Sequence, residues 1–298
     1  MKTDYQDLLK PELVKSVSGL TLISRLIVDG YLSGLNTSRR VGSGMEFSQY
    51  RSYQPGDDLR LLDWKMLARS GRYYIKQSDI DTNISVKFIL DSSNSMLHQE
   101  KGLSKMDYAR IVIASLSDLA QHQGDAVGLF ALNDQKLHSV YPKVQKQHFN
   151  RLLSELIAIE TKGKWPEDSN NTRNIYNRDR KELVFFITDL YEHSQELTQF
   201  IKQLKKPRNE VVVLHIMGEK ELEFDYKGNV TFEDLETGIK LKINAKEAKK
   251  SYLKSLENMM VETQNFLLTN NINYHLFKLD DPIQNTLQLF LKKRIKLI

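Results

Sequence analysis

The stretch Leu90-Asp91-Ser92-Ser93-Asn94-Ser95-Met96 sets a carboxylate and two hydroxyls at alternate positions, Asp91, Ser93 and Ser95. A loop with this D-x-S-x-S spacing can turn three hard oxygens toward one point. Such oxygens suit Mg²⁺, which takes six oxygen ligands at about 2.0–2.1 Å and keeps several of them as water. Mn²⁺ and Ca²⁺ are alternatives of the same hard, oxygen-seeking kind. Two serines add no charge, so a dication held there retains much of its positive field and can attract a carboxylate from another molecule. A second acid is expected from a neighbouring strand end. Asp189, in Ile187-Thr188-Asp189-Leu190, fits that place and would act through a water or by holding a serine.

The surrounding pattern says what positions these groups. Ile84, Val86, Phe88 and Leu90 alternate as one face of a strand that runs into Asp91. Residues 104–121 read as a helix, 126–132 and 137–141 as strands, and 149–159 as a helix. Leu183–Thr188 and Val211–Met217 are unbroken apolar strands of the kind buried on both faces. Helices follow at 197–204, 246–268 and 284–295, with a strand at 274–279. Strands alternating with helices predict an α/β fold with a doubly wound, mostly parallel sheet of Rossmann type. Ligands of such sheets bind beyond the carboxyl ends of the strands, where Asp91 and Asp189 fall.

Two segments break the rhythm. Residues 221–244 alternate at period two around Gly228 and Gly238, which predicts a small antiparallel hairpin or three-strand insert. Upstream, residues 5–30 carry apolar residues at helical spacing, and a glycine-rich basic stretch runs from Gly34 to Gly44. Residues 45–80 read as short strands around a tight Pro55-Gly56-Asp57-Asp58 turn. The expected division is a helix plus β-rich module over 1–80 and the large sheet domain over 81–298.

Composition narrows the function classes. The chain has 298 residues, 40% of them hydrophobic, and no cysteine. That supports a substantial core and removes disulfides, thiolate metal sites and a cysteine nucleophile. The net charge of +5 weakly favours acidic partners. The lysines are dispersed as on solvated helix faces, without the basic stripe and interleaved aromatics that nucleic-acid binding needs. No signal peptide or membrane-length apolar run is visible, so a soluble, cytoplasmic protein is expected.

D-x-S-x-S after a first strand, with a later strand-end Asp, resembles the metal-ion-dependent adhesion site of von Willebrand factor A domains. A more specific likeness lies upstream in Gly44-Met45-Glu46-Phe47, Arg51-Ser52-Tyr53-Gln54-Pro55-Gly56-Asp57-Asp58-Leu59-Arg60, Asp63-Trp64 and Ala68-Arg69. This block resembles the signature of the domain of unknown function 58 family, in which it precedes a von Willebrand A-like half. Leu222-Glu223-Phe224-Asp225 and Phe232-Glu233-Asp234-Leu235 are also similar to it. The resemblance implies a metal-dependent adaptor or chaperone-like partner of a MoxR-type AAA+ ATPase. It also implies a threonine ligand from a third loop, for which Thr161 and Thr172 are the candidates.

The same residues admit plainer roles. Asp189 could cap a helix. Arg51, Arg60 and Arg69 could pair with Asp57, Asp58 and Asp63 in a structural network, with Trp64 in a core. His215, inside Val-Val-Val-Leu-His-Ile, reads as a core histidine, and His193 as a solvated helix start. A metal-assisted phosphohydrolase is the alternative enzyme, but the general acid it wants two residues after Asp91 is Ser93. Ser93 and Ser95 lack the Gly-x-Ser-x-Gly elbow of a hydrolase, and no P-loop is present. The expectation is a non-catalytic binding module that takes an acidic side chain of a protein partner, with nucleic-acid binding as a further alternative.

Overall fold

The computed structural model describes residues 9–38, 49–52, 64–77, 84–166, 181–192 and 195–295. Helices α1 (Pro11–Val14) and α2 (Val17–Ser38) come first, followed by β1 (Gln49–Ser52), α3 (Trp64–Ser70) and β2 (Tyr74–Gln77). Next are β3 (Ser85–Asp91), the two-residue strands β4 (Gln99–Glu100) and β5 (Leu103–Ser104), and α4 (Lys105–His122). Then come β6 (Ala126–Leu132), β7 (Leu137–Lys143), α5 (Lys146–Ala158), β8 (Glu182–Thr188), α6 (Glu196–Leu204) and β9 (Asn209–Met217). The chain continues with α7 (Glu219–Glu223), β10 (Asn229–Glu233), β11 (Lys240–Asn244), α8 (Ala245–Thr269), β12 (Asn273–Lys278) and α9 (Ile283–Ile295).

Six strands form the central sheet in the order β12-β9-β8-β3-β6-β7. All neighbours are parallel except the edge pair β6–β7. The doubly wound α/β architecture is therefore present. Its cause is visible in the period of the strands. Val86, Phe88 and Leu90 of β3 enter one apolar cluster with Leu129 of β6 and Phe185 of β8. Ile89, Phe130 and Phe186, the residues between them, enter a second cluster with Trp165 and Phe200. Successive side chains leave a strand on opposite faces. A strand apolar at every position must therefore be covered twice, and helices on both faces cover it.

The chain divides into two compact units, Met1–Gly34 with Ile84–Ile298, and Leu35–Asn83. This differs from the expected boundary at residue 80. The apolar stripe of the N-terminal helices, Val14, Leu20, Ile23 and Ile27, is buried in the same cluster as Ile111, Val112 and Leu287. Helical spacing shows that a face must be covered but not by what. In the smaller unit, β1 and β2 pair antiparallel with Arg51 opposite Ile75. That unit also holds α3, where only strands were expected. Trp64, expected in a core, is instead 65% exposed, because it opens a short helix that buries none of its side chains. The period-two insert is the antiparallel hairpin β10–β11, while Glu221–Glu223 before it are helical. No described helix is long and apolar enough to cross a membrane.

Candidate metal centre

The chain leaves β3 for β6 and β7 on one side, then returns to place β8 on the other. The carboxyl ends of β3 and β8 therefore flank the topological switch point, where a crevice opens in such sheets. Leu90 pairs with Ile187, which brings Asp91 level with Thr188 and the following Asp189. The four expected residues come together there. Asp91 and Ser93 are 0% and 1% exposed, Ser95 and Asp189 7% and 8%.

Asp91 organises the two loops. Its Oδ1 accepts the Ser93 backbone N–H at 3.0 Å, and its Oδ2 accepts the Thr188 hydroxyl at 2.8 Å. Thr188 Oγ1 in turn accepts the Leu190 N–H at 2.9 Å, across a left-handed Leu190 with φ 55°. Ser93 Oγ lies 2.8 Å from Ser95 Oγ, which donates to Asp189 Oδ1 at 3.1 Å. Asp189 does not cap a helix, since α6 begins at Glu196 behind Gln195.

A buried lysine completes the arrangement. Lys105 Nζ donates to Asp189 Oδ2 at 2.9 Å and to Glu221 Oε1 at 2.8 Å. Burial opposes its charge, but the two carboxylates outweigh that and hold the ammonium above its ordinary range. Burial likewise raises Asp189, yet Lys105 overcomes it and keeps this carboxyl below the usual range. Among the described residues, Asp91 has no such cation. Burial, then the charge of Asp189, push it up to about 7 against the hydrogen bonds from Ser93 and Thr188. Around the lysine, Glu100 accepts the Lys220 N–H at the start of α7 and lies 3.2 Å from His98 Nε2. A Cβ at position 218 would meet that Glu100 carboxylate, so any larger residue there would have to displace it.

The donor set fits a small hard dication. Octahedral oxygens at about 2.05 Å from Mg²⁺ are about 2.9 Å apart along an edge. The Ser93–Ser95 and Ser95–Asp189 oxygen pairs, at 2.8 and 3.1 Å, already have that spacing. Ser95 can thus share an edge with Ser93 and another with Asp189, while Asp91, expected as a ligand, has both oxygens engaged by Ser93 N–H and Thr188 and holds the loop beneath. The loop 159–166 lies alongside: Lys162 N–H donates to Ser92 C=O at 3.0 Å and Asn94 N–H to Gly163 C=O at 2.9 Å. Gly163, at φ 62°, presses so near Asp134 that a Cβ would clash. Half-buried Thr161 is in this loop. Thr172 and His193 lie outside the described residues, as do Pro55, Gly56, Asp57, Asp58, Arg60 and Asp63.

Sequence reasoning missed Lys105, Thr188 and Glu221 as parts of the centre. A signal existed for two of them. A lysine in the first turn of a helix opposes the helix dipole, so Lys105 needed another reason to be there. Thr188 is a hydroxyl ending an otherwise apolar strand. Glu221 left no mark, because its partner is 116 residues away. His215 is the expected core histidine, 1% exposed, with Nδ1 2.8 Å from the Tyr274 hydroxyl.

Comparisons with known proteins agree on kinship and leave activity open. Uncharacterised proteins of Mycobacterium tuberculosis and Mycobacterium bovis are each 24% identical over 247 residues, covering 78% of this chain and 74% of theirs. Among solved structures, the conserved hypothetical protein BatB of Bacteroides thetaiotaomicron is similar at a TM-score of 0.45 and 15% identity, over 72% of this chain and 99% of that one. An aerotolerance-related membrane protein of Bacteroides fragilis gives 0.46 and 17%, over 72% and 100%. The profile of the protein family of unknown function DUF58 matches residues 49–260, which take in the Arg51 block, the D-x-S-x-S loop and the hairpin, and the chain belongs to that family.

Proposed function

We propose that this protein is a non-catalytic, Mg²⁺-dependent protein-interaction module of von Willebrand A-like kind, and that it serves as an adaptor to a MoxR-type AAA+ ATPase. The observation that carries the metal reading is the pair of oxygen contacts Ser93–Ser95 and Ser95–Asp189, each at the length of an octahedral edge, over a buried Asp91. When bound, Mg²⁺ would offer an open position to an anionic oxygen, and a partner's Asp or Glu supplies one. Asp91 argues for binding rather than turnover. Its carboxylate is wholly buried and both of its oxygens are already engaged, so it is poorly placed as a phosphoryl acceptor. The ATPase partner rests on the resemblance of the Arg51–Trp64 block to the family signature.

The test is binding of the full chain to a MoxR-type ATPase, measured in Mg²⁺ and in EDTA, for wild type and Asp189→Asn. The reading expects binding in Mg²⁺ that EDTA and the substitution both abolish. Binding of equal strength in all four conditions would contradict it.

A further inference from the structure

A cavity of about 290 Å³ opens beside the centre and has two unlike ends. Ser95, Asp189 and Lys105 line one end. The other is aromatic, lined by Phe224, Tyr226 and Phe232 from the segment after α7 and the hairpin, and by Tyr252 of α8. The ring centroids of Phe224 and Tyr252 are 4.6 Å apart, and those of Tyr226 and Phe232 4.9 Å. Phe224 is buried, while Tyr226, Phe232 and Tyr252 are half-buried along the cavity. Glu221, Glu233 and Asp234 also line the cavity, with Lys220 beside them, so the four carboxylates of the lining, Asp189 included, outnumber its two lysines. Glu233 is paired with Lys240 at 3.2 Å.

Burial first, and nearby carboxylates after it, raise two phenols of the cavity. Tyr252 is pushed up to about 12 by burial and then by Glu221. Tyr226 is raised by burial, Glu100 and Glu221. Lys105 is matched by Asp189 and Glu221, so Glu233 and Asp234 carry the remaining negative charge of the lining, against Lys220. An apolar occupant would strip water from these carboxylates without replacing it, which is costly. A cation would use both the ring faces and the charge.

We propose that this cavity holds a guanidinium or ammonium side chain of the bound partner. The part that joins it to an adjacent acid rests on the metal reading above: the partner would present an acid to the centre and a base, one or two residues away, to the aromatic wall. The capture of the cation itself needs no metal.

The test separates the two. The full chain in EDTA is titrated with N-acetyl-arginine amide and with N-acetyl-citrulline amide, which keeps the shape and loses the charge, and aromatic NMR signals are followed. Arginine should bind about fivefold or more tighter, equivalent to ~1 kcal/mol. The preference should vanish in Tyr226→Leu combined with Glu233→Gln. Equal affinities, no binding of either compound, or a preference kept by the double variant would overturn the proposal. With Mg²⁺ restored, acetyl-Asp-Gly-Arg-amide should bind about tenfold tighter than its Asn or citrulline form. Loss of only the Asp dependence would refute the metal reading and the acid–base pairing, and leave the cation site standing.

Discussion

Replacing Lys105 with methionine gives a result whose two halves have opposite signs. The side chain keeps its length, and the ammonium that touches Asp189 at 2.9 Å and Glu221 at 2.8 Å is lost. The lysine and Asp189 side chains are only 4% and 3% exposed, so this is a buried pair. Breaking such a pair from one side costs about 3–5 kcal/mol, because the remaining charge has no compensation. The metal-free protein should therefore unfold at clearly lower denaturant. Metal binding should change the other way. An ammonium and a dication sharing one carboxylate lie within roughly 6 Å, where their repulsion is about 1.4 kcal/mol at the dielectric of water and about 5.5 kcal/mol at an effective value near 20. Even the smaller figure is about a tenfold gain in Mg²⁺ affinity on removing the ammonium. Isothermal titration calorimetry and urea unfolding with and without Mg²⁺ read both halves. The variant should be less stable than wild type in EDTA and should recover a larger share of its stability in Mg²⁺. Unchanged stability in EDTA, or weaker Mg²⁺ binding by Lys105→Met, would refute the reasoning.

Further substitutions probe the supports of the centre. Thr188→Val keeps the shape but removes the donor to Asp91 and the acceptor for Leu190 N–H, and should cost about 1–3 kcal/mol in urea unfolding. Arg110 donates to the Leu156 and Ile159 carbonyls and to Asp107, so it anchors the start of the 159–166 loop. Arg110→Met should speed amide exchange over 159–166 and lower stability by about 2 kcal/mol or more. Burial lowers His215 to about 4, so the folded protein keeps it neutral while the unfolded chain protonates near 6.5. Its stabilising contribution is complete above about 6.5 and disappears as pH falls toward 4, a loss on the order of 3 kcal/mol. His215→Gln should therefore lose correspondingly less stability than wild type between pH 7 and pH 4; parallel losses would contradict this.

What the sequence disclosed follows the range of the interactions involved. The sheet was legible because each strand carries its instruction locally. Phe88 and Leu90 point to one apolar cluster and Ile89 to the other, and a run such as Leu183–Thr188 must be buried on both faces. The D-x-S-x-S loop was legible because its three oxygen-bearing residues fall within five positions, and Asp189 because it directly follows an apolar strand. Lys105 and Glu221 were not, because their pairing joins residues 84 and 116 apart and leaves no local pattern. The docking of α2 was hidden for the same reason, since Leu20, Ile23 and Ile27 show a stripe without naming the surface that covers it. Glu221–Glu223 was misjudged because Leu222 and Phe224 alternate over a window too short to separate strand from helix. The 290 Å³ cavity beside the centre, lined by Ser95 and Lys105 at one end and by Phe232 and Tyr252 at the other, could not be foreseen from any single segment.

The central claim is that Ser93, Ser95 and Asp189 hold one divalent ion. Anomalous diffraction from crystals soaked in Mn²⁺, recorded at the manganese edge, tests it most directly. The account predicts a single strong peak in contact with Ser93 Oγ, Ser95 Oγ and Asp189 Oδ1, with the Ser95–Asp189 hydrogen bond given up to the ion. A map with no peak there, and with Ser95 still donating to Asp189, would contradict it.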